Sequence, residues 1–186
     1  MTQRTDGIRC AFAVAAWLLL NGCGPRGSEQ PAGTTGNAAP AWSVTLEAAG
    51  PVRFGMSAQE ASTAAGVTPG TAAPTDSACH YWVPPGAPAG LRLMLENGVV
   101  VRADADSAGI TTIGSLGVGS PVESVVVVLG PSLQVTPHKY QWEEGWRYLS
   151  FSDDTIHRLI FEVDSHVVRS WRAGLLPAVE YVEGCS

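Results

Sequence analysis

Asp164, Ser165 and His166 carry the three side-chain types of a nucleophilic triad, and they stand side by side. Adjacency is the wrong arrangement for that chemistry. A triad's hydroxyl, its base and the carboxylate that orients the base come from separate segments and meet only in space. Here the three residues read as a hairpin turn. The run Gly114-Ser115-Leu116-Gly117-Val118-Gly119-Ser120 precedes an expected helix, where backbone N–H groups can cradle a phosphate. Its spacing fits neither the phosphate-binding loop nor the dinucleotide fingerprint, no lysine follows, and Gly-x-Ser-x-Gly is not spelled. It reads as a connection. Asp104 with Asp106, and Asp153 with Asp154, offer oxygen ligands for a hard cation, but neither pair has EF-hand spacing, and they read as solvated turn residues. His80, His138, His157 and His166 include no i, i+4 pair. On these residues the chain is expected to have no catalytic site, no metal site and no cofactor.

The aromatic residues point to binding. Tyr140, Trp142, Trp146, Tyr148 and Phe151 crowd one short stretch, with Trp171 expected on a neighbouring strand. Tryptophan and tyrosine concentrate at protein interfaces because they bury large areas and keep a polar handle. Core packing is the competing reading, since about half of the positions in such strands face inward. Alternation puts Trp146 and Tyr148 on one face, with Trp142 on the same side. These three are the candidate protein-binding residues.

The N-terminus addresses the chain. Arg4 and Arg9 precede an apolar run from Cys10 to Leu20. As a helix that run would be about 16 Å long, roughly half the hydrocarbon core of a bilayer, so it reads as a signal-peptide core and not as a membrane span. Leu20-Asn21-Gly22-Cys23 follows and resembles the lipobox of bacterial lipoproteins. The resemblance implies cleavage after Gly22, a diacylglycerol thioether on Cys23 and acylation of the new N-terminus. That makes the lipid bilayer a partner held through acylated Cys23. Gly24 follows where an acidic residue would retain a lipoprotein at the inner membrane. The expected location is therefore the periplasmic side of the outer membrane, or the outer face of the plasma membrane in an organism without an outer membrane.

Cys10 leaves with the signal peptide and Cys23 is lipidated. Cys79 and Cys185 remain in an oxidising compartment, and one disulfide between them is the economical reading. Metal ligation by the pair is the weaker alternative, because their flanks form no zinc pattern.

Hydrophobic residues make up 45% of the 186-residue chain and charged residues 15%, which favours a folded domain over a disordered chain. The formal charge is −6. Loss of Arg4, Arg9 and Asp6 with residues 1–22 leaves nine basic against sixteen acidic residues, or −7. Lys139 is the only lysine, and no basic cluster exists, so nucleic acid is not an expected partner. Residues 23–41 are the lipidated cysteine and a Gly/Pro/Ala/Thr-rich flexible tether, and 42–186 the globular domain.

Two capping boxes are expected to start helices. Ser57-x-x-Glu60 opens one over 58–65, closed by Gly66. Ser120-x-x-Glu123, with Pro121 at its first position, opens another over 121–129, closed by Gly130-Pro131. Val125 to Val128 are β-branched and suit a strand better. Strands are expected at 79–83, 91–95, 140–143 and 146–151, and Asn97-Gly98 is a type I′ hairpin signal. Leu93 to Arg102 aligns with Ile160 to Arg169. These matches suggest two repeats, about 50–110 and 114–186.

Phe54-Gly55-Met56-Ser57 through Gly66, and Gly117 through Gly130, resemble the SmpA/OmlA superfamily, which includes the BamE lipoproteins and the tandem β-lactamase inhibitor proteins. The resemblance implies an α+β fold of two tandem repeats, each a short helix packed on an antiparallel β-meander, that works by binding protein. The expected function is a non-catalytic, lipid-anchored envelope module whose partner is another envelope protein. The alternative is a periplasmic hydrolase or small-ligand-binding protein.

Overall fold

The computed structural model describes residues 42–67, 77–142 and 145–185. Cys23, the expected signal peptide and the tether lie outside them. The described chain begins with a small hairpin of β1 (Ala48–Ala49) and β2 (Val52–Arg53). Next come helix α1 (Ala58–Ala64) and strands β3 (Cys79–Trp82), β4 (Leu91–Glu96) and β5 (Val99–Ala105). Helix α2 (Val122–Leu129) then leads to β6 (Gln134–Pro137), β7 (Arg147–Phe151), β8 (His157–Val163) and β9 (Val168–Leu175). The class is α+β. Strands β3 to β9 form one antiparallel sheet in the order β3-β4-β5-β9-β8-β7-β6.

Local signals account for much of this. Ser57 accepts from the Glu60 N–H, while the Glu60 carboxylate accepts from the Ser57 N–H at 2.9 Å, so the first capping box forms. The second does not. Pro121 is the N-cap of α2, and the Ser120 hydroxyl accepts from the Gly117 N–H at 3.0 Å instead. With the helix starting one residue late, Glu123 stands at the second helical position and cannot reach back to a serine cap. Asn97 and Gly98 both adopt positive φ, 49° and 75°, as a type I′ turn between β4 and β5 requires.

Among the described residues of the expected strand over 140–143, those at 140–142 form no strand. The edge strand is β6, six residues earlier, and its four residues are all exposed, so it carries no buried alternation to read. Beyond it the His138 ring accepts from the N–H groups of Tyr140 and Gln141 at 3.2 and 3.0 Å, which curls that stretch into a loop.

Each helix is pinned to a hairpin by the same three kinds of backbone bond. At α1, the Gly55 N–H donates to Val100 O, Val100 N–H to Met56 O, and Ala58 N–H to Gly98 O, at 2.7, 2.8 and 2.7 Å. At α2, the Gly119 N–H donates to Val168 O, Val168 N–H to Ser120 O, and Val122 N–H to His166 O, at 2.9, 2.9 and 3.0 Å.

The main core lies between the helices and one face of the sheet. Ala58, Ala61, Val122, Val125 and Leu129 pack with Leu93, Leu95, Leu149, Phe161 and Trp171 there. The opposite face, called the open face below, carries the alternate residues of the same strands. The C-terminal strap, residues 176–185, lies on it. Ala178 packs with Met94 and Val101, and Val179 with Tyr148 and Ile160. Cys185 at the strap's end is bonded to Cys79 on edge strand β3, with the Cα atoms 5.4 Å apart.

Candidate functional site

Alternation in an antiparallel sheet puts every second residue on one face, and here that face collects charge. β4 contributes Arg92, β5 contributes Arg102 and Asp104, β8 contributes Glu162, and β9 contributes Arg172. Bulges keep these positions aligned. The β4–β5 register shifts between Met94 and Leu95, and the β8–β9 register between Glu162 and Val163. Asp104 and Arg172 are direct cross-strand neighbours where β5 meets β9.

Arg102 is the centre of the arrangement. Its side chain is 4% exposed, and that of Asp104 is 11% exposed. Nε donates to both Asp104 oxygens at 3.1 and 2.9 Å, and one terminal nitrogen to Oδ1 at 2.6 Å. The same nitrogen reaches the Tyr81 hydroxyl at 3.3 Å, and the other donates to the carbonyls of Ala178 and Tyr181 at 3.2 and 2.6 Å. All five guanidinium N–H groups thus find acceptors. Arg172 is bound similarly: Nε donates to Val179 O at 2.7 Å, Nη1 pairs with Glu162, and the guanidinium lies over the Tyr148 ring. Two buried arginines therefore hold the strap by its backbone carbonyls. Arg92 pairs with Asp106 at 2.9 Å and lies over the Tyr81 ring, 5.1 Å from its centroid. Burial, then the Asp104 charge, raises the Tyr81 phenol above its ordinary pKa.

A cavity of about 490 Å³ opens between these groups and the strap, lined by Arg92, Arg102, Asp104, Glu162, Arg172 and Glu183 among others. The loop after β6 forms part of its surroundings. Tyr140 donates to Glu183, Lys139 stands 4.0 Å from the same carboxylate, and His138 Nε2 lies 3.5 Å from Glu162.

The candidate aromatics divide accordingly. Tyr148 is buried and stacks on His138, with ring centroids 4.5 Å apart. Trp146 is half-buried and meets the same histidine edge-on at 5.6 Å. Trp142 is 89% exposed and Tyr140 45% exposed. Trp146 and Tyr148 do converge, through His138, while Trp142 stands in solvent two residues beyond Tyr140.

Asp104 is not the solvated turn residue expected: it lies within β5, is buried, and pairs with Arg102 on the open face. Asp106, just beyond the strand, is exposed as expected and pairs with Arg92. The site's arginines carry no local signal in the sequence. A charged residue inside an apolar strand, such as Arg92 in Leu-Arg-Leu-Met-Leu or Arg172 in Ser-Trp-Arg-Ala, is a signal only when several strands are aligned on one face. The glycine-rich run is a connection with a 3₁₀ turn at Ile113–Ser115, leading into α2. Among the described residues no group of three or more His, Cys, Asp and Glu side chains is arranged to hold a metal ion. No described helix is long and apolar enough to cross a membrane.

Asp164, Ser165 and His166 do occupy the turn before β9. The Asp164 carboxylate accepts from the N–H groups of His166 and Val167 at 2.7 and 2.8 Å and pairs with Arg169. The Val167 and His166 amides, and then Arg169, lower its pKa to about 2. An unfolded aspartate titrates near 3.9, so the folded value is the lower. The stabilisation is therefore complete above about pH 4 and is lost as pH falls from there through about 2. Asp164→Asn is expected to flatten that part of the acid limb in urea unfolding measured against pH. An unaltered acid limb would show that the turn does not couple to titration. Asp154, also lowered to about 2 by His157 and the Ile156 amide, retains its own share of the slope.

No protein-family model matches the chain, and no characterised protein or solved structure is significantly similar to it.

Proposed function

We propose that this chain is a lipid-anchored cell-envelope protein that binds another protein through the open face of its sheet. The observation that carries the reading is the groove. A cavity of about 490 Å³ has arginines and carboxylates on its floor, a strap on one side, and a loop bearing the exposed Tyr140 and Trp142 beside it. Exposed aromatics next to fixed charges are the usual ingredients of a protein contact: area from the rings, register from the charges. The bonds already made by Arg102 and Arg172 hold those charges in place before a partner arrives, which lowers the ordering cost of binding.

The same proposal includes the chain's origin as two copies of one unit, α1 with β3–β5 and α2 with β7–β9. The matched hydrogen bonds at the two helix starts support it, as do the matched bulges. So does the resemblance of residues 54–66 and 117–130 to the SmpA/OmlA superfamily. Acylation at Cys23 rests on the lipobox.

The second reading, a small-ligand binder of the periplasm, is favoured by the cavity's volume, which falls within the range of ligand pockets. Cross-linking in intact cells with mass spectrometry separates the two. The expected result is one envelope protein, recovered severalfold less when Trp142→Ala and Arg92→Glu are combined. Both residues are exposed enough to change without unfolding the domain, which Tyr148 is not. Recovery at background from the unaltered protein would reject the protein-binding reading and leave the ligand reading standing.

A further inference from the structure

The loop that follows β6 is held by one ring nitrogen. His138 Nδ1 accepts from the N–H groups of Tyr140 and Gln141 at 3.2 and 3.0 Å. A backbone N–H only donates, so Nδ1 must offer a lone pair. The single proton of the neutral ring then sits on Nε2, 3.5 Å from the Glu162 carboxylate. The ring itself is held between Tyr148, stacked at 4.5 Å, and Trp146, edge-on at 5.6 Å, and the side chain is 7% exposed.

A second proton has only Nδ1 to enter. There it removes the acceptor of both amides and sets a third N–H against them. The closed loop and the imidazolium therefore exclude each other, and acid shifts the population toward an open loop. The sign follows: the two bonds are complete while the ring is neutral and are lost as pH falls and the ring protonates. Histidine is the side chain whose charge ordinarily changes between about pH 5 and 8.

The neighbouring groups set how the cation is received. From β8, the Glu162 carboxylate attracts it. From β9, Arg172 opposes it in part, since its guanidinium pairs with Glu162 and lies over the Tyr148 ring. From β7, the Tyr148 phenol is raised above its ordinary pKa by burial and stays neutral in this range. On the loop, Lys139 and Tyr140 are turned to Glu183 of the strap.

We propose that residues 138–142 form a pH-operated latch beside the groove, closed while His138 is neutral and released when it is protonated. Release frees the Tyr140 hydroxyl from Glu183, which lines the cavity, so acid loosens the loop side of the groove. The consequence for a partner rests on the reading of the groove as a contact surface. The latch itself does not.

The test is hydrogen exchange at the Tyr140 and Gln141 amides of the mature protein in detergent micelles, with the His138 ring followed by NMR in the same sample. Protection, corrected for intrinsic exchange, is expected to fall about tenfold between about pH 7.5 and about pH 5, in step with ring protonation. His138→Asn places a side-chain oxygen where Nδ1 stood, and asparagine accepts from the backbone two residues on, so protection should persist at both pH values. His138→Phe keeps an aromatic ring between Tyr148 and Trp146 without an acceptor, so protection should be low at both. Ring protonation without loss of protection overturns the latch. Loss of protection in His138→Asn over the same range also overturns it, by assigning the response to another group. A ring that stays neutral down to about pH 5 overturns a switch in the ordinary range of histidine. No partner enters these measurements, so a failed latch and a failed protein-binding reading are told apart.

Discussion

Replacing Arg102 with methionine is expected to destabilise the domain by about 3–5 kcal/mol, among the largest effects of any single surface-distant substitution here. The mechanism is the one-sided removal of a buried pair. Asp104, with its side chain 11% exposed, loses three hydrogen bonds from one guanidinium and keeps its desolvation cost. The carbonyls of Ala178 and Tyr181 lose their donors at the same time, so the strap loosens along with the sheet. Urea unfolding of the disulfide-intact protein reads the total. Hydrogen exchange at the Ala178 and Val179 amides reads the strap separately. Arg102→Lys should recover little, because an ammonium has three donors and no planar fork to serve a carboxylate, two carbonyls and a phenol together. Changing both members, Arg102→Met with Asp104→Leu, should recover a large part of the loss, since a buried pair replaced by apolar side chains is often near neutral. A single substitution costing less than about 1 kcal/mol would show that water reaches the pair and screens it.

Opening the Cys79–Cys185 bond is expected to cost about 2–5 kcal/mol, judged by the removal of native disulfides from small exported domains. The bond joins residues 106 apart, and in the chain-entropy model a loop of that length restrains the unfolded chain by about 4–5 kcal/mol. The folded-state effect adds to this. Cys185 ties the strap's end to edge strand β3, while Val179 stays fully buried further back. Reduction should therefore release the end of the strap and leave its middle docked. The measurement is the urea midpoint of the oxidised protein against the Cys79→Ser, Cys185→Ser double variant. An unchanged midpoint would mean that the bond is absent or idle in solution.

These two effects act at one place and should not add. Both secure the strap, one from its end and one from its middle. A loosened strap in either variant lowers what remains for the other to remove. The combined variant is therefore expected to lose less than the sum, and the shortfall measures how far the strap behaves as a unit.

Particular residues show what could be read in advance. Asn97-Gly98 specifies its turn wherever it stands, because few residues accept two successive positive φ values. Ser57 and Glu60 specify a helix start through bonds made within four residues. Ser120-x-x-Glu123 spells the same signal and fails, because the Ser120 hydroxyl is engaged by the Gly117 amide and the helix begins one residue later. The valine run that argued for a strand over 125–128 is helical, since Val122, Val125 and Leu129 bury one side of a helix against the sheet and outweigh a modest propensity.

The amino-acid sequence by itself determined the Asn97-Gly98 turn and the first capped helix, and made Cys79–Cys185 the economical pairing, while the α+β class came in through a resemblance. The turn and the cap follow from bonds between near neighbours. Only the tertiary structure decided that Arg92, Arg102 and Arg172 meet Asp104, Asp106 and Glu162 on one face under a C-terminal strap. Residues as far apart as 102 and 181 share a hydrogen bond there, and their approach depends on sheet register and bulges that no local pattern encodes.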